Sequence, residues 1–286
     1  MRFSAPPRAS VDPATFEHPA FAAFRGHLDL LVGVDWPAIT EFDARLAGRR
    51  HAVSGRELRF VPQTPALLAD GMHYEARIWA HGTIATRESN WHDLFNALMW
   101  FERTALKSAV NCAYQRELPQ APQGGRTPAQ SALTHFDEGG ALVLVSDPAL
   151  LEYWDRHDWA GLLFDRREAW LAGAKVVLLG HALLEQYLVP ELLPVAKCLV
   201  VTMAPGEEAG RLEHLAATAL AQGQILRRPS ELRPLPLAGL PGWHARAVSR
   251  DFFATAPCFR PLRPGRRYPP AWQSGARGLQ VAGSPR

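Results

Sequence analysis

From Ser89 to Asn111 the chain spaces its apolar residues for one helical face, and the residues left over are of an unusual kind. Set out at about 100° per residue, Leu94, Phe95, Ala97, Leu98, Phe101, Ala105, Leu106, Ala109 and Cys112 cover one arc. His92, Asn96, Arg103, Lys107 and Asn111 gather on the opposite side. A solvated helix face is usually built from Glu, Lys and Gln, whereas these side chains are costly to bury without a specific partner. Glu102 projects into the apolar arc and needs an edge position or an arginine partner. Ser89 and Asn90 suit an N-cap, and Asp93 sits in the first turn, where a carboxylate suits the helix dipole. The spacing predicts one amphipathic helix over 91–112. Its polar stripe is a hydrogen-bonded seam, a ligand-facing site or a partner interface.

Other features bound what surrounds that helix. With 286 residues and 47% hydrophobic content, the chain fits one large domain with appendages. Its longest apolar runs, such as 141–145 and 176–179, are strand-length, so no membrane span is expected. The first residues lack the apolar core of a signal peptide, and the expectation is a cytoplasmic protein. Cys112, Cys198 and Cys258 lie far apart without a Cys-x-x-Cys pair, which argues against a disulfide framework or a thiolate zinc site. The net charge of +3 is misleading, because residues 260–286 hold six arginines and no acid. The body is therefore slightly acidic, and no nucleic-acid groove is indicated.

The predicted organisation is a loose lead-in over 1–14, a single domain over 15–259 and a disordered basic tail over 260–286, with a Pro-rich strap from about 229. A helix is expected over 35–46, and a hairpin from 74–80 and 83–86 about His81-Gly82. A second hairpin is expected from 132–136 and 141–145 about Asp137-Glu138-Gly139-Gly140. Strands over 175–179 and 196–203 and helices over 182–188 and 207–222 complete the pattern. Strand pairs before and after the long helix favour an α+β fold, with a mixed or antiparallel sheet packed against several helices.

Three blocks carry a resemblance: Asn90-Trp91-His92-Asp93-Leu94-Phe95-Asn96-Ala97-Leu98, Ala132-Leu133-Thr134-His135-Phe136-Asp137-Glu138-Gly139, and Gly180-His181-Ala182-Leu183-Leu184-Glu185. Together they resemble a mostly proteobacterial family named domain of unknown function 3025, over roughly residues 15–260. The resemblance implies no particular activity. It also implies a Pro-Arg-Thr-Lys run late in the long helix, of which this chain, with Thr104-Ala105-Leu106-Lys107, keeps only the lysine.

Two further constellations bear on chemistry. His181 and Glu185 share a helix face after Gly180, where a histidine in the first turn is held neutral and can serve as base or metal ligand. His135, Asp137 and Glu138 are candidate ligands for a divalent ion together with His92 or His181; the competing reading is plain turn chemistry. No P-loop, dinucleotide fingerprint or nucleophile elbow occurs. The sequence therefore points to a polar pocket for a small anionic ligand. His92, His181 and Glu185 would be catalytic there, with Asn96, Arg103, Lys107 and Asn111 binding substrate. The alternative is a binding module whose stripe is structural.

Overall fold

The computed structural model describes residues 3–46, 48–122, 124–203 and 208–273. The helices are α1 (Leu28–Leu31), α2 (Ile39–Leu46), α3 (Pro65–Leu68), α4 (Tyr74–His81), α5 (Trp91–Glu102), α6 (Thr104–Glu117) and α7 (Pro128–Gly139). They continue with α8 (Ala149–Asp155), α9 (Arg167–Gly173), α10 (His181–Gln186), α11 (Ala209–Ala221) and α12 (Arg250–Thr255). The strands are β1 (Arg59–Pro62), β2 (Thr83–Thr86), β3 (Gly140–Val145), β4 (Ala174–Leu178), β5 (Val195–Thr202), β6 (Arg233–Pro236) and β7 (Trp272–Gln273).

The fold is α+β around a mixed sheet. β3 lies between antiparallel β4 and parallel β5; β5 also pairs with antiparallel β6 and, through its last residues, with parallel β7. Every residue of β3 is buried, and its alternation divides the core. Ala141, Val143 and Val145 face a cluster with Trp91, Phe95, Phe101, Trp154 and Phe252. Leu142 and Leu144 face the other cluster, built on α6, α7 and α11. Continuous apolar strands of this kind need helices on both sides.

Four expectations need correction. The long helix is two, because Arg103 leaves helical geometry at φ −130°, ψ 33° and the Thr104 hydroxyl donates to the Trp100 carbonyl at 2.6 Å. The first expected hairpin is α4 followed by β2. Gly82, at φ 67°, is the left-handed C-cap of α4, and β2 pairs in parallel with β1. The second is α7 running into β3. Thr127 and Gln130 form a capping box, and Ala132, Leu133 and Phe136 take helical spacing onto the core. The chain ends are also more built than their composition suggests. The Arg8 guanidinium lies between the Trp36 and Trp91 rings and donates to the Leu30 carbonyl at 2.9 Å. Residues 260–273, expected in the disordered tail, wrap the body as far as β7; residues 274–286 lie outside the described residues. The Pro-rich strap holds β6 and α12, its Phe252 and Phe253 buried. The expected helix start at Glu207 also lies outside the described residues.

Antiparallel pairing places the start of β3 beside the end of β4. Gly180 therefore packs on Gly139 and Gly140, and its N–H bonds the Gly140 carbonyl at 2.8 Å. This contact sets the end of α7 against the start of α10. A Cβ on Gly180 would stand 2.5 Å from the Gly140 nitrogen and 2.6 Å from the Gly139 Cα, both rigid backbone atoms. Gly180→Ala is expected to destabilise the chain by about 2 kcal/mol or more, read from the denaturant midpoint. A loss near zero would show that the junction yields freely.

Candidate functional site

Helices α5, α7 and α10 meet at that junction. From α5, capped by the Asn90 side chain on the Asp93 N–H at 3.0 Å, comes His92. From the first turn of α10 comes His181, only 4% exposed at its side chain, and one turn on comes Glu185. From the end of α7 come Asp137 and Glu138.

The two imidazoles face each other with Nε2 atoms 2.9 Å apart. Glu138 Oε2 lies 3.5 Å from His181 Nε2 and 3.8 Å from His92 Nε2. Glu185 Oε2 stands 3.3 Å from His92 Nδ1 and orients that ring from behind. The circumcentre of the triangle with edges 2.9, 3.5 and 3.8 Å lies about 2.0 Å from each corner, the length of a zinc–nitrogen or zinc–carboxylate bond. Among the described residues, His92, Glu138 and His181 form the group whose donor atoms converge closely enough to hold a metal ion. The Glu138 side chain is 46% exposed, so the group opens toward solvent on that side.

Charge around the group is unbalanced. Asp93, Asp137, Glu138, Glu185 and Glu75 surround it, against the cations Lys107 and Arg87. Burial, with Lys107 and His92 beside it, holds His181 far below the usual histidine range, so its ring is neutral. The Asp137 carbonyl pulls the other way, although His181 Nδ1 falls short of full hydrogen-bond geometry. Burial also works against a charged His92. The Glu185 hydrogen bond and the Glu138 carboxylate outweigh it and raise that pKa. Desolvation pushes the Glu138 carboxyl up, against the pull of His92.

A second polar layer lies behind. Lys107 Nζ donates to Asp137 Oδ1 at 2.5 Å, and the lysine side chain is 4% exposed. Asn111 Nδ2 donates to the Glu75 carboxylate at 2.6 Å and to its backbone carbonyl at 2.8 Å. Asn96 Nδ2 donates to the Tyr74 hydroxyl at 3.0 Å. Glu75, Asp137 and Glu138 line one cleft of about 130 Å³. Burial and the neighbouring Asp137 raise the Glu75 pKa to about 7.

His92, His181, Glu185 and Glu138 thus share one point, with Lys107, Asn111 and Asn96 in the layer around it. Lys107 is committed to Asp137 and is not available to hold an anion. Arg103 sits at the break between α5 and α6, and its NH1 donates to the Glu102 carbonyl at 3.1 Å. Glu102 pairs with His27 at 2.9 Å instead of an arginine. His135 and Asp137, which would share the face of a strand, diverge on a helix, and His135 meets Lys197 at 2.8 Å in a different cleft. Tyr74 and Glu75 escaped the sequence reading because their segment was taken for a strand. Gly82 read as a helix stop would have placed Glu75 in a first turn.

A family model described as a protein of unknown function, domain of unknown function 3025, matches residues 58–263. The chain belongs to this family. No curated protein and no solved structure matches the chain. The matched span contains all the converging residues, and among the described residues no helix is long and apolar enough to cross a membrane.

Lys107→Met would leave the Asp137 carboxylate enclosed without its cation, at an expected cost of about 3 kcal/mol in denaturant unfolding. Adding Asp137→Leu should restore part of that loss, and no recovery would mean that Lys107 acts through packing alone. Glu75 gives a pH signature. Its folded pKa is raised from 4.5 to about 7, so folding favours the protonated form and stability falls as pH rises through that window. Glu75→Gln removes this slope. With chelator present, the variant should match the parent below about pH 4.5 and exceed it by about 2 kcal/mol above pH 7. Parallel stability curves would refute the enclosed carboxyl.

Proposed function

We propose that this chain is a divalent-metal enzyme that activates water for hydrolysis, with His92, His181 and Glu138 as ligands. The observation that carries the proposal is the convergence of two imidazole Nε2 atoms and one carboxylate oxygen with edges of 2.9, 3.5 and 3.8 Å. Two imidazoles and a carboxylate form a three-ligand set that leaves a position for water, as in catalytic zinc sites. Of the five carboxylates, Asp137 is paired with Lys107 and Asp93 with Arg87, which leaves Glu75, Glu138 and Glu185 without a Lys or Arg partner; a dication held by the triad would offset that excess. His92 presents Nε2 inward because Glu185 takes the proton on Nδ1.

A divalent ion held by His92, His181 and Glu138 would supply an acidified water, with a pKa of about 7 for zinc. A base matched to that acidity must stand close by, and Glu75 lines the same cleft as Glu138 with its own pKa raised to about 7. Glu75 would serve as the proton acceptor on that side of the cleft, its carboxylate fixed by Asn111. The same ligand set also accepts iron(II). A proton acceptor of matched pKa across the cleft favours hydrolysis. With Lys107 paired and Arg103 bonded to the Glu102 carbonyl, the substrate is held by the metal and the polar cleft and not by a pair of cations.

Metal analysis of the full chain, expressed with zinc, manganese and iron supplied, tests the reading. The expected result is one ion per chain, removed by chelator and restored with a rise in melting temperature. His92→Ala, His181→Ala and Glu138→Gln should each abolish stoichiometric binding while the fold persists by circular dichroism. Glu185→Gln should weaken affinity by about 10–100-fold. A metal-free protein whose melting curve ignores added Zn²⁺, Mn²⁺ and Fe²⁺ would overturn the proposal and leave a structural polar seam.

A further inference from the structure

A cleft of about 780 Å³ lies away from His92 and His181, between the start of β5 and the C-terminal strap. That volume suits an organic ligand of moderate size. Its floor is apolar, built from Leu193, Ala196, Leu232 and Cys258. Its rim is cationic: Lys197, Arg260, Arg263 and Arg266 line it, against the single carboxylate of Glu191. Among the described residues, none of the four cations has a carboxylate within ion-pair distance, whereas Arg77 and Arg233 elsewhere in the chain do. Lys197 instead meets the neutral lone pair of His135 Nδ1 at 2.8 Å, which leaves its positive charge uncompensated.

The wall is held in place at a conformational cost. His157 adopts φ 55°, a left-handed geometry uncommon for a side-chain-bearing residue. From there Nδ1 meets the Arg260 carbonyl at 3.1 Å and Nε2 meets the Tyr268 hydroxyl at 2.9 Å. Trp159 Nε1 donates to the same Arg260 carbonyl at 2.8 Å. The strap is thus fastened at Arg260 and Tyr268 and arches over the floor, with Arg263 and Arg266 carried between the two fixed points.

We propose that this cleft binds an amphipathic organic anion, its apolar body on the floor and its charged group among Lys197, Arg260, Arg263 and Arg266. The proposal is independent of the metal centre. Apolar area supplies affinity, and four uncompensated cations supply the discrimination for a negative head.

Two fluorescent probes with nearly the same body separate the contributions. 8-Anilinonaphthalene-1-sulfonate carries the charge, and N-phenyl-1-naphthylamine lacks it. Titrated into the full chain, the sulfonate should bind saturably with one site per chain and at least about tenfold more tightly than the neutral probe. Lys197→Glu combined with Arg263→Glu, both exposed positions, should weaken the sulfonate by at least about tenfold and leave the neutral probe and the melting temperature unchanged. Decanoate should displace the sulfonate. Equal affinity for both probes, or sulfonate binding indifferent to the charge reversal, would overturn the proposal and reduce the cleft to an apolar surface. Failure of the sulfonate to saturate would also overturn it.

Discussion

The structure turns on a backbone contact with no side chains in it. Gly180 lies directly on Gly139 and Gly140, and one carbonyl, that of Gly140, accepts from both Leu179 and Gly180. Because two strands and two helices change over at that point, it fixes four elements at once. The last turn of α7 and the first turn of α10 are brought together, and with them Glu138 and His181. α5 then needs only to lie across both to bring His92 within 2.9 Å of His181. Glycine is required there for the absence of a Cβ and not for an unusual φ.

Around this junction the polar residues divide by depth. The deeper pairs, Lys107 with Asp137 and Asn111 with Glu75, satisfy one another and define where α4, α6 and α7 stand. The shallower ones, His92, His181 and Glu138, satisfy one another poorly: two imidazole nitrogens face each other, and the nearest carboxylate oxygen stands at 3.5 Å. Buried atoms without partners occur at both depths, His181 Nδ1 in front and the Oδ1 atoms of Asn96 and Asn111 behind, and what sets the front apart is its converging donor triad, open to solvent at Glu138. The stripe on the 91–112 segment holds both kinds, with His92 in front and Lys107 and Asn111 behind.

Much of this was legible in the sequence, because it depended on local rules. The Asn90 cap, the strands about 174–178 and 195–202, and the placing of His181 and Glu185 on one helix face follow from spacing and capping. What misled was punctuation. His81-Gly82 and Asp137-Glu138-Gly139-Gly140 satisfy the chemistry of a hairpin turn and of a helix end equally well, and the β-rich windows beside them tipped the reading toward strands. The Thr127–Gln130 capping box was present to correct the second case. The break at Arg103 had a weaker signal, a threonine able to bond back to the preceding turn. Glu138 is one of three candidate ligands with a competing turn reading, and the packing of α7 on α10 sets it, without His135, beside the histidines. Glu75 could not be read at all, since its burial depends on Asn111, 36 positions later.

The order of the strands has a consequence for how the chain reaches this state. β3 and β5 pair side by side and in parallel, yet β4 and the helices α8, α9 and α10 lie between them in sequence. His181 arrives with the end of β4, which antiparallel pairing sets beside the start of β3. The triad draws on positions 92, 138 and 181, so no short fragment holds it, and an ion has nothing to nucleate in the unfolded chain. The architecture must therefore be self-supporting before any metal arrives. The proposed ion would load after folding, unlike the ion of small metal modules, which creates their fold.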